Sequence, residues 1–152
     1  DWDVMAPAVE VLKEFAIEYE VVVASAHRTP GKVHEFAEEA AGRGVGVIIA
    51  AAGAAAHLPG VVAAYTTLPV IGVPVNSTSL GGMDALLSIA QMPAGIPVAC
   101  MAINGAKNAG LFAAQILSTS SPSLQRKFRA YRKTMAEQVE KKAQKLAAKL
   151  EG

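Results

Sequence analysis

The sequence predicts an α/β fold in which a doubly wound parallel sheet lies between two layers of helices. Three observations support this prediction. Short apolar runs of strand length alternate with segments whose apolar residues recur at helical spacing. The runs are apolar almost throughout, as strands covered on both faces are. Polar residues collect where the predicted strands end, which is where open parallel sheets bind ligands.

The first half of the chain predicts two helices and two strands. The helices cover residues 1–15 and 30–41, and the strands cover residues 19–24 and 45–50. The first helix carries an apolar stripe from Val4 to Phe15, and Pro30 is favoured at the start of the second. β-branched residues favour a strand in the first run, and the second run is continuously apolar.

The second half repeats this alternation. Its predicted helices cover residues 58–65, 83–91 and 106–117, and its strands cover residues 69–75 and 97–103. Strands joined through helices pair in parallel, because the crossover returns the chain to the same edge of the sheet. We therefore expect a flavodoxin-like or Rossmann-like arrangement in a domain of residues 1–120.

Residues 121–152 predict a long helix of a different kind, with an apolar stripe from Leu124 to Leu150. From Gln125 onward there are nine Lys or Arg and three Glu, whereas the rest of the chain has five basic and ten acidic residues. We interpret the segment as a solvated helix whose stripe packs on its own domain or on a neighbouring subunit. A basic helix for nucleic acid or membrane is the alternative, and no interleaved aromatic residues support it.

Composition limits the classes of partner and compartment. The net charge of the 152 residues is +1, which gives no general reason to expect nucleic acid. The longest apolar stretch, residues 45–64, is interrupted by Gly53, His57 and Pro59, so we do not expect a membrane span. Cys100 is the single cysteine, which excludes an internal disulfide framework and makes a reducing cytoplasm the simplest location.

Polar residues follow four of the predicted strands. The four loops are residues 25–30, 53–60, 76–79 and 104–108. Because the carboxyl ends of parallel strands share one edge of a sheet, all four loops could line one crevice. Their convergence is a stronger indication of a site than any single loop.

His27 and Arg28 are the strongest candidates for chemistry. An imidazole titrates near neutrality and can act as acid and base in one cycle. A guanidinium can bind a phosphate or carboxylate through its planar fork, and the helix that starts at Pro30 favours an anion nearby. The alternative is that both are ordinary loop residues.

The other histidines and the cysteine carry weaker signals. His57 lies in a loop of small residues without an ionisable neighbour, and by itself it predicts a hydrogen-bonded structural residue. His34 is expected on the solvated surface of a helix, and Cys100 in a buried, inert strand position. Three histidines and one cysteine form no recognisable ligand set, so we predict no metal site.

Five segments resemble the signatures of the 5-(carboxyamino)imidazole ribonucleotide mutases. They are residues 25–30 (SAHRTP), 55–60 (AAHLPG), 70–75 (VIGVPV), 88–93 (SIAQMP) and 108–111 (NAGL). All five occur in the family's order, and the likeness extends over residues 1–117. Arg28 favours the mutase type, since the direct carboxylases typically have lysine at that position.

The resemblance implies a cofactor-independent isomerase of purine biosynthesis. Its substrate would be 5-carboxyamino-1-(5-phospho-D-ribosyl)imidazole, whose carboxyl group moves from the exocyclic nitrogen to C4. The product would be 5-amino-1-(5-phospho-D-ribosyl)imidazole-4-carboxylate. The implied route is decarboxylation to aminoimidazole ribonucleotide and trapped carbon dioxide, followed by attack of the ring carbon. The resemblance also implies a cytoplasmic homo-octamer.

The same resemblance assigns roles to single residues. His27 matches the general acid and base, which protonates the leaving nitrogen and later accepts the proton from C4. Arg28 and Ser25 match phosphate contacts, and Asp1 matches an acidic residue that holds the ribose hydroxyls. The remaining implied substrate-binding residues are Gly53, in the loop that encloses carbon dioxide, and His57.

The chain departs from the family pattern in two places. Family members begin with one further strand and a Gly-Ser-x-Ser loop, so we expect the first strand to be missing from this sequence and further residues to precede Asp1. Ala51 and Ala54 stand where relatives usually have glycine, and alanine would distort the pocket if a positive φ or a close approach were needed. Direct carboxylation with carbon dioxide and a non-catalytic nucleotide-binding module remain open as alternatives.

Overall fold

The computed structural model describes residues 1–150, which contain six α-helices and three strands. In chain order they are α1 (Trp2–Glu14), α2 (Pro30–Glu39), β1 (Ile48–Ala52), α3 (Leu58–Ala64), β2 (Val70–Pro74), α4 (Met83–Ala90), β3 (Ala99–Cys100), α5 (Ala106–Ser118) and α6 (Pro122–Leu150). A 3₁₀ turn over Ala41–Arg43 follows α2. It ends at Gly44, whose φ of 87° favours glycine.

The three strands form one parallel sheet in the order β1-β2-β3. Ile48 is paired with Val70, and Gly72 is paired with Cys100. All five residues of the central strand β2 are buried, since it has a strand on each side and helices on both faces. The predicted α/β class with a parallel sheet is confirmed.

Two helical layers cover the sheet. On one face Ala8 of α1 and Ala109 of α5 pack against Ile71 of β2. On the other face Val33 of α2 and Val62 of α3 belong to a second cluster beside β1 and β2. Small residues dominate the first layer, which allows α1 and α5 to lie close together and close to the sheet.

The strand predicted over residues 19–24 is wrong. The β-branched residues favour extended backbone, but a strand also needs a hydrogen-bonded neighbour, and no ladder bond reaches this segment within residues 1–150. Val23 is 86% exposed, and its carbonyl accepts a hydrogen bond from Lys32 Nζ at 2.8 Å. Arg43 holds Glu20 through an ion pair of 2.8 Å. Contacts made by side chains therefore hold residues 19–24 in place, where hydrogen bonds to a neighbouring strand were expected.

Helix α6 packs on the domain only along its first turns. The ring of Phe128 lies 4.9 Å from that of Phe15, between centroids, and Tyr131 joins the same cluster. Val139 and Leu146 further along the stripe are 67% and 59% exposed. The predicted helix over residues 121–152 is therefore observed to Leu150, and residues 151–152 lie outside the described range. Within residues 1–150 no helix has the length and apolar character that crossing a membrane requires.

Candidate active site

The loops after the three strands meet at the carboxyl edge of the sheet. The Val75 N–H donates to the Ala52 carbonyl at 2.9 Å, which continues the pairing of β1 and β2 into their loops. The Asn76 N–H donates to Asn104 Oδ1, also at 2.9 Å. Asn104 has a φ of 56°, a conformation that asparagine tolerates better than most residues. The predicted convergence of loops 53–60, 76–79 and 104–108 is thus present in the structure.

Gly53 lies where two of these loops touch. A Cβ atom at this position would collide with the carbonyl oxygen of Val75 and lie 2.5 Å from Ser77 Oγ. A backbone oxygen cannot move away as a flexible side chain can, so the close approach requires glycine. The sequence indicated that Gly53 belongs to the site loop, but Ser77 as its neighbour was not predicted.

Ala51 and Ala54, which the resemblance suggested stand in place of glycines, have negative φ angles. Among residues 1–150 the non-glycine residues with positive φ are Ala16 and Asn104. Ala51 and Ala54 therefore do not occupy the left-handed region that would disfavour alanine. The strain that a positive φ would cause at an alanine is therefore absent at both positions.

The loop that carries His27 is a closed turn before α2. The Thr29 N–H donates to the Ser25 carbonyl at 2.9 Å, and the Ser25 N–H donates to Thr29 Oγ1 at 2.8 Å. Arg28 donates to Ser25 Oγ through its backbone N–H at 3.2 Å and through Nε at 3.4 Å. Ser25 and Arg28, which were predicted as phosphate contacts, are therefore in direct contact.

Arg28 is exposed and lies two residues before α2, which begins at Pro30. None of the ion pairs within the described chain includes Arg28. Pro30 occupies the first turn of α2, and the N-terminal N–H groups of that helix point toward the same loop. A cationic fork beside a helix N-terminus is suited to an anion such as a phosphate.

His27 and His57 are hydrogen-bonded to each other. His27 Nε2 lies 3.0 Å from His57 Nδ1, and the two rings meet edge to face at 85° with centroids 5.0 Å apart. Both side chains are exposed at the edge of the sheet. The sequence predicted that each lies in a site loop and that His57 is hydrogen-bonded, but not that His27 is its partner.

Asp1 lies at the same edge of the sheet. Gly110 of α5 contacts Ala8 of α1, and Ala114 one turn later packs with Phe15, so the two helices run parallel. Asp1 therefore lies at the end where α5 begins, which is the end that carries the site loops. Its carboxylate does not cap α1. The structure shows no contact that defines its role.

The remaining candidates lie outside the site. His34 is exposed on α2, 3.4 Å from Glu38, as the sequence predicted. Cys100 is half-buried in β3, and burial raises the pKa of its thiol, which keeps it protonated and weakly reactive at neutral pH. The described residues contain no group of three or more His, Cys, Asp or Glu side chains arranged to hold a metal ion.

A cavity of about 700 Å³ lies at the opposite end of the sheet. Its lining includes Tyr65, Thr67, Pro69 and Ile96, so it is at the amino end of β2. It contains no histidine or arginine and is separated from the loops that carry His27 by the length of the strands. Its position does not suit the chemistry predicted from the sequence.

A family model and curated relatives match almost the whole chain. The family described as AIR carboxylase matches residues 1–138. N5-carboxyaminoimidazole ribonucleotide mutase of Thermotoga maritima is 55% identical over 146 residues, which cover 96% of this chain and 85% of the relative. The protein of the same name from Mycobacterium tuberculosis is 54% identical over 153 aligned positions, which cover 99% of this chain and 88% of the relative.

A solved structure shares the fold. The crystal structure of Treponema denticola PurE superposes with a TM-score of 0.85 at 29% identity, covering 96% of this chain and 91% of the other. The likeness includes the parallel sheet and its helical layers, and it agrees with the flavodoxin-like class expected from the sequence. The resemblance drawn from the five sequence motifs is confirmed by these comparisons.

Proposed function

The chain belongs to the AIR carboxylase family, and we propose that it catalyses the reaction for which its curated relatives are named, as an N5-carboxyaminoimidazole ribonucleotide mutase. The observation that carries this proposal is identity of about 55% over nearly the whole chain, site loops included. The reaction moves a carboxyl group from the exocyclic nitrogen of the substrate to C4 of its imidazole ring. No observation on this chain favours direct carboxylation or a non-catalytic module.

His27 is the proposed general acid and base. The bond between the exocyclic nitrogen and the carboxyl carbon breaks, carbon dioxide leaves, and His27 gives a proton to the nitrogen. C4 then forms a bond to the same carbon dioxide, and the proton displaced from C4 returns to His27. The histidine ends in its starting protonation state, so one residue suffices for both halves of the reaction.

Arg28 and Ser25 are the proposed phosphate contacts. Their direct contact supports this role, because Ser25 Oγ orients the guanidinium through Nε and leaves its terminal nitrogens available. The adjoining start of α2 adds a favourable field for an anion. Asp1, at the same edge, is the proposed partner of the ribose hydroxyls.

Gly53 and its loop form the proposed enclosure for carbon dioxide. The fit of Gly53 against Val75 and Ser77 keeps two loops close together without a side chain between them. A close, mostly apolar wall would retain a small neutral gas and exclude water that could protonate C4. Holding both fragments in place also replaces a bimolecular encounter by an oriented one.

The proposed assembly is a homo-oligomer, and the resemblance specifies an octamer. The exposed apolar residues Met135, Val139, Leu146 and Leu150 of α6 support an assembly of this kind. A cytoplasmic location is proposed on the same resemblance and on the single reduced cysteine.

The test is conversion of the carbamate nucleotide by the purified protein in buffer freed of bicarbonate. We expect the C4 carboxylate product to form at a rate that added bicarbonate does not raise. A product that forms only from aminoimidazole ribonucleotide, at a rate that climbs with bicarbonate, would instead identify a direct carboxylase. Nucleotide binding without turnover would identify a non-catalytic module.

The role of His27 is tested by His27→Asn. The amide cannot exchange a proton near neutral pH, so we expect kcat to fall by roughly 10²-fold or more. The circular dichroism spectrum should not change, because the side chain is exposed. His34→Asn, at an exposed helix position, is the matched control and should retain full activity. A fully active His27→Asn protein would refute the mechanism.

A further inference from the structure

The hydrogen bond between His27 and His57 has two possible directions. Because 3.0 Å between Nε2 of His27 and Nδ1 of His57 is a hydrogen-bonding distance, one nitrogen donates and the other accepts. Nδ1 of His27 makes no hydrogen bond with any group of the described residues. It is therefore the nitrogen that remains available to a substrate.

We propose that His57 is a positioning residue whose Nδ1 accepts the Nε2–H of His27, so that Nδ1 of His27 alone carries the exchanged proton. This inference rests on the proposed function. The opposite direction would place a hydrogen on Nδ1 of His27 when neutral, and that nitrogen could not then accept the proton from C4. Only acceptance by His57 leaves a lone pair on Nδ1 for the second half of the reaction.

The proton balance closes with this arrangement. His27 begins with hydrogens on both nitrogens and gives the one on Nδ1 to the exocyclic nitrogen as the N–C bond breaks. Neutral His27 keeps its Nε2–H, which His57 continues to accept. When the new C–C bond forms, the proton from C4 moves to Nδ1. His57 stays neutral throughout, with its own hydrogen on Nε2, and stabilises the charged form of His27 by accepting its second N–H.

The ring geometry supports a positioning role. The rings meet edge to face at 85° with Nε2 of His27 directed toward Nδ1 of His57, so the hydrogen bond restrains the orientation of the His27 ring. His57 immediately precedes α3, and its backbone carbonyl accepts a hydrogen bond from the Val61 N–H at 3.0 Å. An exposed imidazole on a turn would otherwise rotate freely about its side-chain bonds.

The kinetic test uses three substitutions of His57. They differ in whether a hydrogen-bond acceptor remains at the position of Nδ1. The Oδ1 atom in His57→Asn lies as many bonds from Cα as Nδ1 does, so this variant keeps the acceptor. His57→Gln places its amide nearer the position of Nε2, and His57→Ala has no acceptor. We expect kcat of the Gln and Ala variants to fall roughly 10- to 100-fold with little change in KM, and kcat of the Asn variant to stay within roughly threefold of wild type.

Two kinetic outcomes would overturn the proposal. Equal losses of kcat in the Asn and Gln variants would show that a hydrogen-bond acceptor at the position of Nδ1 does not matter for the reaction. A raised KM with unchanged kcat would show that His57 binds substrate instead. His34→Asn serves as the control for replacing a histidine, since His34 contacts Glu38 and the ring of Tyr65, away from the loops that carry His27 and His57.

The direction of the hydrogen bond is tested separately, without substrate. In long-range ¹H–¹⁵N spectra of protein labelled at its histidine nitrogens, recorded where both rings are neutral, we expect hydrogen on Nε2 of His27 and none on Nδ1 of His57. The opposite tautomers would overturn the proposal even if every variant were slow. If the wild-type protein has no mutase activity, the proposed function fails, while these spectra still decide the direction of the bond.

Discussion

At the scale of single residues, the site depends on a few close contacts between different loops. The local sequence around each residue does not predict these contacts. His27 and His57 are 30 positions apart, and the distance of 3.0 Å between their rings exists because two loops end at one edge. The signatures placed both residues in site loops. The contact itself could not be predicted, because the orientation of an exposed side chain depends on neighbours from other loops.

Ser77 and Asn104 illustrate the same limit. The parallel sheet predicted that their loops would converge, and a polar residue after a strand was the available signal. Which polar residue contacts the next loop depends on backbone details such as the φ of 56° at Asn104. Periodicity carries no information on such details.

The close contact at Gly53 gives a prediction at this scale. Gly53→Ala would place a Cβ atom against the Val75 carbonyl and Ser77 Oγ, so the two loops must separate. Because small displacements of positioned groups are costly in catalysis, we expect kcat/KM to fall at least tenfold. Steady-state kinetics on folded protein check this. Unchanged kinetics would show that the approach of the two loops does not matter for the reaction.

At the scale of helices and strands, the sequence predicted helices better than strands. All six helices were predicted within a few residues, because helical periodicity and the capping positions are local. A strand depends on a partner elsewhere in the chain. Residues 19–24 have the composition of a strand but no paired neighbour among the described residues, and β3 is reduced to Ala99–Cys100.

The packing of α1 on α5 gives a prediction at this scale. A Cβ atom in Gly110→Ala would lie 2.8 Å from the backbone carbonyl oxygen of Ala8, which cannot move unless the helices separate. We expect the free energy of unfolding to fall by about 1–3 kcal/mol, measured by urea denaturation.

Gly31→Ala is the matched control for that substitution. Gly31 lies in the first turn of α2, and a Cβ atom there would meet nothing within 4 Å. The same chemical change should therefore leave the stability unchanged or raise it by up to about 1 kcal/mol. Equal losses in both variants would show that the close packing of Gly110 is not the cause.

At the scale of the whole molecule, α6 joins two regions of different character. Its first turns pack aromatic rings on the domain, and its later turns expose an apolar stripe. Nine of the chain's 14 Lys and Arg residues lie along the helix as a whole. The sequence predicted the stripe and left open whether it faces its own domain or a neighbouring subunit. The structure assigns the first turns to the domain, and the exposed remainder supports the proposed contact with another copy.

Replacing the exposed stripe tests this assembly. In the double variant Val139→Glu and Leu146→Glu, charges enter the apolar face, so we expect the mass from light scattering to fall below that of the wild-type oligomer. The helical circular dichroism of the protomer should not change. Lys141→Glu is the control. It lies outside the apolar stripe and changes the charge by more than either single substitution of the double variant, and it should leave the mass of the oligomer unchanged. A wild-type protein that is monomeric at micromolar concentration would contradict the proposed oligomer.

In the proposed mechanism, carbon dioxide released from the substrate stays beside His27 until C4 captures it. The most direct measurement follows a ¹³C label placed in the carbamate carbon during turnover in excess unlabelled bicarbonate, with mass spectrometry of the product. If carbon dioxide is retained in the site, nearly every product molecule carries ¹³C in its C4 carboxylate. Product that carries mainly unlabelled carbon would contradict this retention, because the carboxyl group would then have come from solution.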